Sequence, residues 1–256
     1  MIFLLQHIID QVAESYPDHP LFVFDENRLT YAEFVAQTNS LAHMLIDQGV
    51  KRGDRVGIHL HKSMESVIAV YGILKAGAAF VPLDPALTLS RLAYVIQDCG
   101  IRVVISQKSK LNTLNEIAKE KTGLEVVIGA QTADVDLNLR LVDWTAVNGM
   151  QSETPPSIPG LMEQDLAYIM YTSGSTGNPK GLMHTHASGL SYAKRAAELY
   201  GLHHGDILSN HSPLHFDMST FDIYSGPLAG ATTVIIPEEY KMLPASLSEL
   251  IQDERI

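Results

Sequence analysis

The segment from residue 171 to residue 181 reads YTSGSTGNPKG and concentrates hydroxyl side chains, glycines and one lysine in a short stretch. Glycine allows backbone N–H groups to come close to a polyanion, and hydroxyl groups add hydrogen-bond donors. Lys180 supplies a mobile positive charge that can pair with phosphate oxygens. This combination suits a phosphate-binding loop, although Ser/Gly turns that carry a solvated lysine are also common in proteins.

The loop differs from the Walker A loop of P-loop NTPases. That motif places Ser or Thr directly after its lysine and continues into a helix. Here Lys180 follows Pro179 and precedes Gly181, and the next segment is expected to be a strand. The sequence therefore disfavours a P-loop NTPase.

Apolar strands alternate with amphipathic helices along most of the chain and place the loop between two strands. Helix boundaries are marked by a capping box at residues 30–33 and by glycines such as Gly49, Gly77 and Gly100 at helix ends. Strands are predicted at residues 21–24, 55–60, 78–83, 102–106, 124–128, 165–172, 181–186, 207–209 and 232–236. Helices are predicted at residues 4–16, 63–76, 90–98, 111–121, 188–200, 219–228 and 244–255, with another behind the capping box. This order is typical of parallel βαβ units and predicts a layered α/β fold.

One segment of the chain is typical of a linker. Residues 149–160 (GMQSETPPSIPG) are rich in glycine, proline and serine. We predict that they separate a first α/β subdomain, residues 1–148, from a second one, residues 161–256, which carries the phosphate-binding loop.

Composition limits the classes of partner. The net charge of −11 over 256 residues argues against nucleic acid as the main partner, because phosphate backbones require basic patches. Cys99 is the single cysteine, which excludes an intramolecular disulfide and fits a reducing compartment. The opening residues lack a basic region and are too few to span a bilayer. A cytoplasmic protein without a membrane partner is expected.

Four segments carry a resemblance to a known family. The loop YTSGSTGNPKG, with Leu-Ala-Tyr at 166–168 before it, resembles the phosphate-loop signature of the adenylate-forming superfamily of acyl-CoA synthetases, nonribosomal peptide adenylation domains and luciferases. Residues 29–34 (LTYAEF), 74–85 (LKAGAAFVPLDP) and 216–219 (FDMS) resemble the first, second and fourth core motifs of that family. The sequence is therefore identified as a member, with the fold of the family's large N-terminal domain.

The resemblance implies that a carboxylate reacts with ATP to give acyl-AMP and pyrophosphate, after which the acyl group passes to a thiol. It also implies which residues hold the β- and γ-phosphates, with Mg²⁺ beside them: Thr172, Ser173, Gly174, Ser175, Thr176, Gly177 and Lys180. The family's catalytic lysine, its adenine- and ribose-binding segments and its small C-terminal domain have no counterpart up to Ile256. We therefore expect a chain truncated before the last subdomain and inactive in isolation, with its catalytic lysine beyond Ile256.

Asp217 indicates the class of acid. In amino-acid-activating relatives, the Asp of a Phe-Asp-x-Ser motif pairs with the α-ammonium group, which needs an opposite charge when it leaves water. By resemblance Asp217 takes this role, and Phe216 forms an aromatic wall beside it. The alternatives are that Asp217 caps the helix beginning near Ser219 and that Phe216 is a core residue.

The predicted function is activation of an amino acid as aminoacyl-AMP, followed by transfer to the phosphopantetheine thiol of a carrier protein, or to CoA. Ligases that load D-alanine, proline or another small amino acid onto a carrier protein are the subfamilies considered. Two alternatives remain open at this stage: a ligase for acyl or aryl acids, and a truncated module that binds phosphate or a protein partner without catalysis.

The second half of the chain contains six histidines considered as metal ligands. They are His184, His186, His203, His204, His211 and His215. No cysteine or carboxylate completes a set of ligands at a recognisable spacing. No metal site built from protein side chains is predicted.

Overall fold

The computed structural model describes residues 2–120, 122–131, 138–150, 153–172 and 179–256. The strands are β1 (Pro20–Phe24), β2 (Asn27–Thr30), β3 (Arg55–His59), β4 (Ala79–Pro82), β5 (Val103–Ser106), β6 (Val126–Ile128), β7 (Arg140–Val142), β8 (Leu166–Thr172), β9 (Lys180–Thr185), β10 (Ile207–Asn210) and β11 (Thr232–Ile235). The α-helices are α1 (His7–Ser15), α2 (Tyr31–Asp47), α3 (Met64–Lys75), α4 (Leu89–Cys99), α5 (Leu111–Lys119), α6 (Trp144–Gly149), α7 (His186–Tyr200), α8 (Gly226–Leu228) and α9 (Pro244–Glu254). A π-helix (Phe221–Ser225) runs directly into α8, and short 3₁₀ helices occupy Lys108–Lys110 and Glu238–Met242.

The described strands form two sheets. The larger has seven strands in the order β7-β6-β5-β3-β4-β8-β9, and the smaller has four in the order β10-β11-β1-β2. All neighbouring pairs are parallel except β1–β2 and β8–β9, which are antiparallel. Parallel strands joined through helices confirm the predicted α/β class.

Helices α2 and α3 pack into a core that they share with both sheets. This core contains Phe22 of the small sheet, Val56 of the large sheet, Phe34 of α2 and Tyr71 of α3. The helices approach closely at Gly72, where a Cβ atom would lie only 2.7 Å from a methyl group of Leu41. Helices α4 and α5 cover the opposite face of the large sheet, so its central strands are buried on both faces.

Local signals fix several helix ends as predicted. The hydroxyl of Thr30 accepts a hydrogen bond from the backbone N–H of Glu33, and the Glu33 carboxylate accepts one from the N–H of Thr30. This reciprocal capping box begins α2. Gly100 ends α4 in the left-handed conformation, with φ of 59°.

The structure also contains elements that were not predicted. Strand β2 lies directly before the capping box, where no strand was predicted, and follows a tight turn in which Asp25 has φ of 52°. Strand β7 was missed because three residues are too few to show an alternating pattern. Helix α6, which has six residues, was not predicted either. The helix predicted at 219–228 is interrupted by the π-helix.

Each sheet combines strands from both sides of residues 149–160. Strands β8 and β9 complete the large sheet, and β10 and β11 pair with β1 in the small one. The segment also packs on α2, whose Asn39 side chain donates to the carbonyl of Glu153 at 3.2 Å. The division into subdomains at residues 1–148 and 161–256 stays a prediction. The strand pairing shows that both parts contribute strands to both sheets.

Within the described ranges, no helix has the length and apolar character needed to cross a bilayer.

Candidate functional site

The predicted phosphate-binding loop is closed by the hairpin of β8 and β9. Thr172 is the residue opposite Lys180, and Tyr171 is opposite Gly181. The strand ladder therefore brings the two ends of the loop side by side. Five residues predicted to bind phosphate lie outside the described residues: Ser173, Gly174, Ser175, Thr176 and Gly177.

The base of this hairpin is attached to helix α4. The Tyr171 hydroxyl donates a hydrogen bond to the Asp98 carboxylate and lies 3.2 Å from the sulfur of Cys99. Burial and the hydrogen bond to Asp98 raise the pKa of Tyr171, so its hydroxyl remains a protonated donor. Gly181 permits close packing, because a Cβ atom there would lie 2.9 Å from Ile169 and 3.2 Å from the Tyr171 ring.

The site lies where the carboxyl ends of strands from both sheets meet. A cavity of about 260 Å³ is lined by His61 and Lys62 after β3, Asp84 after β4, His215 after β10 and Glu238 after β11. Ligands of open α/β sheets bind outside the carboxyl ends of the strands. The topology thus puts this edge in the position expected for a binding site.

A second cavity, of about 150 Å³, adjoins the hairpin. Its polar lining comes from Asp84, Arg91, Thr172 and His215, and its other residues are Pro82, Leu83, Leu87, Val95, Tyr171 and Pro179. Nε2 of His215 is 3.8 Å from a carboxylate oxygen of Asp84. Both cavities share these two side chains, which stand between them.

Phe216 and Asp217 are exposed on a turn that leads into the π-helical segment. The backbone N–H of Ser219 donates to the carbonyl of Phe216 at 3.0 Å, and that of Thr220 donates to the carbonyl of Asp217 at 2.9 Å. These N–H groups are satisfied by backbone oxygens, so the Asp217 carboxylate does not cap them. Phe216 is 56% exposed and therefore is not a core residue in this structure.

A buried polar network supports this turn from below. The Asn210 side chain donates to the carboxylate of Asp222 at 3.0 Å, and the Thr233 hydroxyl donates to the Asp222 carbonyl at 3.1 Å. Lys62 reaches across from the end of β3 and donates to the carbonyls of Asn210 at 3.1 Å and His211 at 2.9 Å. The network therefore joins the two sheets beneath the Phe-Asp-Met-Ser turn.

Asp222 is the titratable group most altered by this environment. Burial raises its pKa to about 7, against the opposing effects of the hydrogen bond from Asn210 and the charge of Lys62. Sequence analysis did not single out Asp222, Asn210 or Lys62. The π-helix breaks the helical period, and no sequence spacing relates residues whose contact depends on the tertiary fold.

A groove of about 1050 Å³ runs beside the turn, between α7, β10 and the π-helix. Its lining includes Tyr192, Leu208, His211, Met218, Phe221 and Asp222. Burial, together with the charges of Asp222 and Asp217, raises the pKa of Tyr192.

Two of the histidines considered as metal ligands have other contacts. His184 stacks on Tyr168 with ring centroids 4.5 Å apart. Nδ1 of His186 accepts the backbone N–H of Leu5 at 3.3 Å, and burial lowers the pKa of His186 to about 4. Across the described part of the chain, no three His, Cys, Asp or Glu side chains are arranged to hold a metal ion.

Comparison with known proteins gives consistent matches. Residues 9–256 match the family model described as AMP-binding enzyme. The chain is 33% identical to malpinin synthetase of Mortierella alpina, over 93% of this chain and 3% of that protein. It is 31% identical to the L-proline–[L-prolyl-carrier protein] ligase of Pseudomonas fluorescens, over 94% of this chain and 46% of that ligase. The chain thus spans less than half the length of these relatives.

A solved structure agrees with the fold. The AMPPNP-bound form of the nonribosomal peptide synthetase FmoA3 superposes with a TM-score of 0.79 at 30% identity, over 99% of this chain and 25% of that one.

Proposed function

Since this chain belongs to the AMP-binding enzyme family, as the sequence resemblance predicted, we propose that it forms part of a ligase that activates an amino acid with ATP and Mg²⁺. The product is an aminoacyl-AMP, whose acyl group then passes to the phosphopantetheine thiol of a carrier protein. The observation that carries this proposal is the hairpin that sets Thr172 opposite Lys180, beside the turn that exposes Asp217.

The hairpin loop provides the phosphate-binding half of the site. A carboxylate oxygen of the substrate attacks the α-phosphorus, and the bond to the α–β bridging oxygen breaks with release of pyrophosphate. Such a step requires alignment of the reactants and neutralisation of phosphate charge rather than a covalent protein intermediate. In a chain with a net charge of −11, that neutralisation must come from local cations such as Lys180 and from Mg²⁺.

The exposed turn provides the amino-acid-binding half. The Asp217 carboxylate is available for the α-ammonium group, and Phe216 stands beside it. A carboxylate suits this role because a charge-assisted hydrogen bond offsets the desolvation of the ammonium group. The groove beside the turn, lined by Met218, Phe221 and Tyr192, would receive the side chain of the amino acid.

The proposed acceptor is a carrier protein. The proline ligase among the relatives is named for loading a prolyl-carrier protein, and FmoA3 is named as a nonribosomal peptide synthetase. The two names support an amino acid as the acid, and that of the ligase supports a carrier protein as the acceptor.

Exchange of radiolabelled pyrophosphate into ATP, measured on the intact protein with a panel of amino, fatty and aryl acids, tests the proposal. Lys180→Ala, alone and with Thr176→Ala, should lower exchange by about 10- to 100-fold, the effect of losing a hydrogen bond to a charged group. Lys119→Ala is the matched control, because Lys119 is a surface lysine paired with Glu116 on α5. Unchanged exchange in the double variant, or a preference for fatty or aryl acids, would refute the proposed function.

A further inference from the structure

We propose that Lys62, which lies between strand β3 and helix α3, is a positioning residue for amino-acid binding. It holds the start of the segment that presents Asp217, and it acts through the backbone of that segment rather than on the substrate itself. This inference rests on the proposed function and adds to it a residue from the opposite sheet.

The Lys62 side chain crosses from the large sheet to the small one. Its ammonium group donates to the carbonyl of Asn210 at 3.1 Å and to that of His211 at 2.9 Å. Only 6% of Lys62 is exposed. Burial of an ammonium group is costly unless hydrogen bonds offset its desolvation, so these contacts fix the side chain and the two carbonyls relative to each other.

The two carbonyls lie at the carboxyl end of β10, an edge strand of the small sheet. Among the described residues, β10 pairs with β11 on one side and with no strand on the other. The paired residues of β10 run from Ile207 to Asn210, so His211 is the first residue beyond the ladder. Lys62 therefore links the chain to the large sheet at the point where it leaves the small one.

This link is one of two anchors of the segment that carries Asp217, residues 211–217. The other anchor is on the side of the π-helix, where the Ser219 hydroxyl donates to the carbonyl of Phe216 at 2.7 Å and the Thr220 hydroxyl donates to that of Asp217. Loss of the first anchor would let the segment shift, and a displacement of about 1 Å in a binding group can lower a rate by up to about 100-fold. The position of the Asp217 carboxylate should therefore depend on Lys62.

Lys75 is a second buried lysine, at the opposite end of α3. It is 2% exposed, and its ammonium group pairs with Asp10 at 2.8 Å and donates to Asn39 at 2.7 Å. These partners are on α1 and α2, and the twelve residues of α3 rise by about 18 Å between the two lysines. Loss of either ammonium group leaves buried partners unsatisfied, but only loss of Lys62 releases the segment that carries Asp217.

ATP–pyrophosphate exchange on the intact protein, with KM determined for each reactant, tests the inference. Lys62→Met keeps the apolar stem and removes the ammonium group, and it should raise the KM for the amino acid by about 10-fold through misplacement of Asp217. The KM for ATP should stay at the wild-type value. Lys75→Met is the matched control, which should lower the urea midpoint as Lys62→Met does but leave both KM values unchanged. In an Asp217→Ala background, Lys62→Met should raise the KM for the amino acid no further, because the carboxylate that it positions is gone.

The outcomes separate this inference from the function on which it rests. If Asp217→Ala lowers kcat/KM for the amino acid while Lys62→Met leaves its KM unchanged, the role of Lys62 is refuted and the proposed function stands. If Asp217→Ala, Lys180→Ala and Lys62→Met all leave exchange unchanged, the proposed function fails as well. If Lys62→Met raises the KM values for ATP and the amino acid equally, or Lys75→Met has the same effect as Lys62→Met, lost stability accounts for the result and the inference is wrong. Should Lys62→Met not fold, Lys62→Gln and Lys75→Gln, which keep N–H donors on a shorter side chain, are compared in the same way.

Discussion

The two halves of the proposed site are held in place by different interactions. The hairpin of β8 and β9 is held by a backbone ladder between neighbouring strands, in which Thr172 pairs with Lys180. The turn that exposes Asp217 is supported by buried side chains, through the contacts among Asp222, Asn210 and Lys62. The first half therefore depends on local pairing, and the second depends on contacts between distant parts of the chain.

This difference predicts how each half responds to substitution. Changes in the hairpin should affect binding at the loop with little effect on global stability, because the ladder remains. Changes in the buried network should affect the free energy of unfolding, because a buried polar group that loses its partner is costly. Changes in the exposed residues of the turn should affect substrate binding alone.

The largest expected effect is on activity and comes from Asp217. Asp217→Ala should lower kcat/KM for the amino acid by about 100-fold, because truncating one partner of a close charge pair leaves the other unpaired. Asp217→Asn should lose nearly as much, since it keeps the shape of the side chain but not the charge. Exchange kinetics with the amino acid varied measure the effect. Chemical denaturation should give the wild-type free energy of unfolding, since the side chain is exposed. Wild-type activity on amino acids in either variant would contradict the role of Asp217.

An intermediate effect, on the free energy of unfolding, is expected from substitution of Asp222, and this effect depends on pH. Its folded pKa of about 7 lies above the ordinary value of 3.8, so the folded state binds the proton more tightly than the unfolded state. The stability of the wild type relative to Asp222→Asn should therefore fall as pH rises from about 4 to 7, by at most ~1.4 kcal/mol per pH unit. Above pH 7 the difference should become constant.

Urea denaturation of both proteins at several pH values between 4 and 8 measures this difference, and groups shared by the two proteins cancel. Parallel stability profiles for the wild type and the Asp222→Asn variant would show that Asp222 titrates normally, and that the network does not isolate it from water.

The smallest expected effect comes from substitution of Tyr171, at the base of the hairpin. Tyr171→Phe removes the hydrogen bond to Asp98 while keeping the ring, so it should cost about 0.5–1.5 kcal/mol of stability. Since the ladder still closes the loop, the KM for ATP should rise only by about two- to threefold, with that for the amino acid unchanged. Thermal denaturation and exchange kinetics measure the two effects. A loss as large as that of Lys180→Ala would mean that the link to α4, and not the ladder, positions the loop.

The sequence predicted most of the local structure. The capping box of α2 and the glycine that ends α4 were readable because the interacting groups lie within a few residues of one another. The α/β class and the two strands around the loop were predicted correctly for the same reason. The sequence did not predict which strands lie next to each other, because pairing such as that between β1 and β11 depends on packing across the whole chain.

In the candidate site, too, features set by local sequence were predicted and features set by the tertiary fold were not. The predicted strands flanking the loop are confirmed, while the roles of the phosphate-binding residues, Phe216 and Asp217 stay predictions. The supporting network could not be predicted, because Lys62 lies 148 residues before Asn210 in the chain. Its members also sit on a β-strand end and a π-helix, for which hydrophobic periodicity gives no signal.

The pairing of β1 with β11 has a consequence for synthesis on the ribosome. Strand β1 is synthesised more than 200 residues before its parallel partner, β11. Until β11 is made, the edge of the nascent β1–β2 hairpin has no native neighbour and is open to aggregation or to binding by a chaperone. Completion of the small sheet is therefore a late event, and the yield of folded protein should depend on how well the early chain is protected during translation.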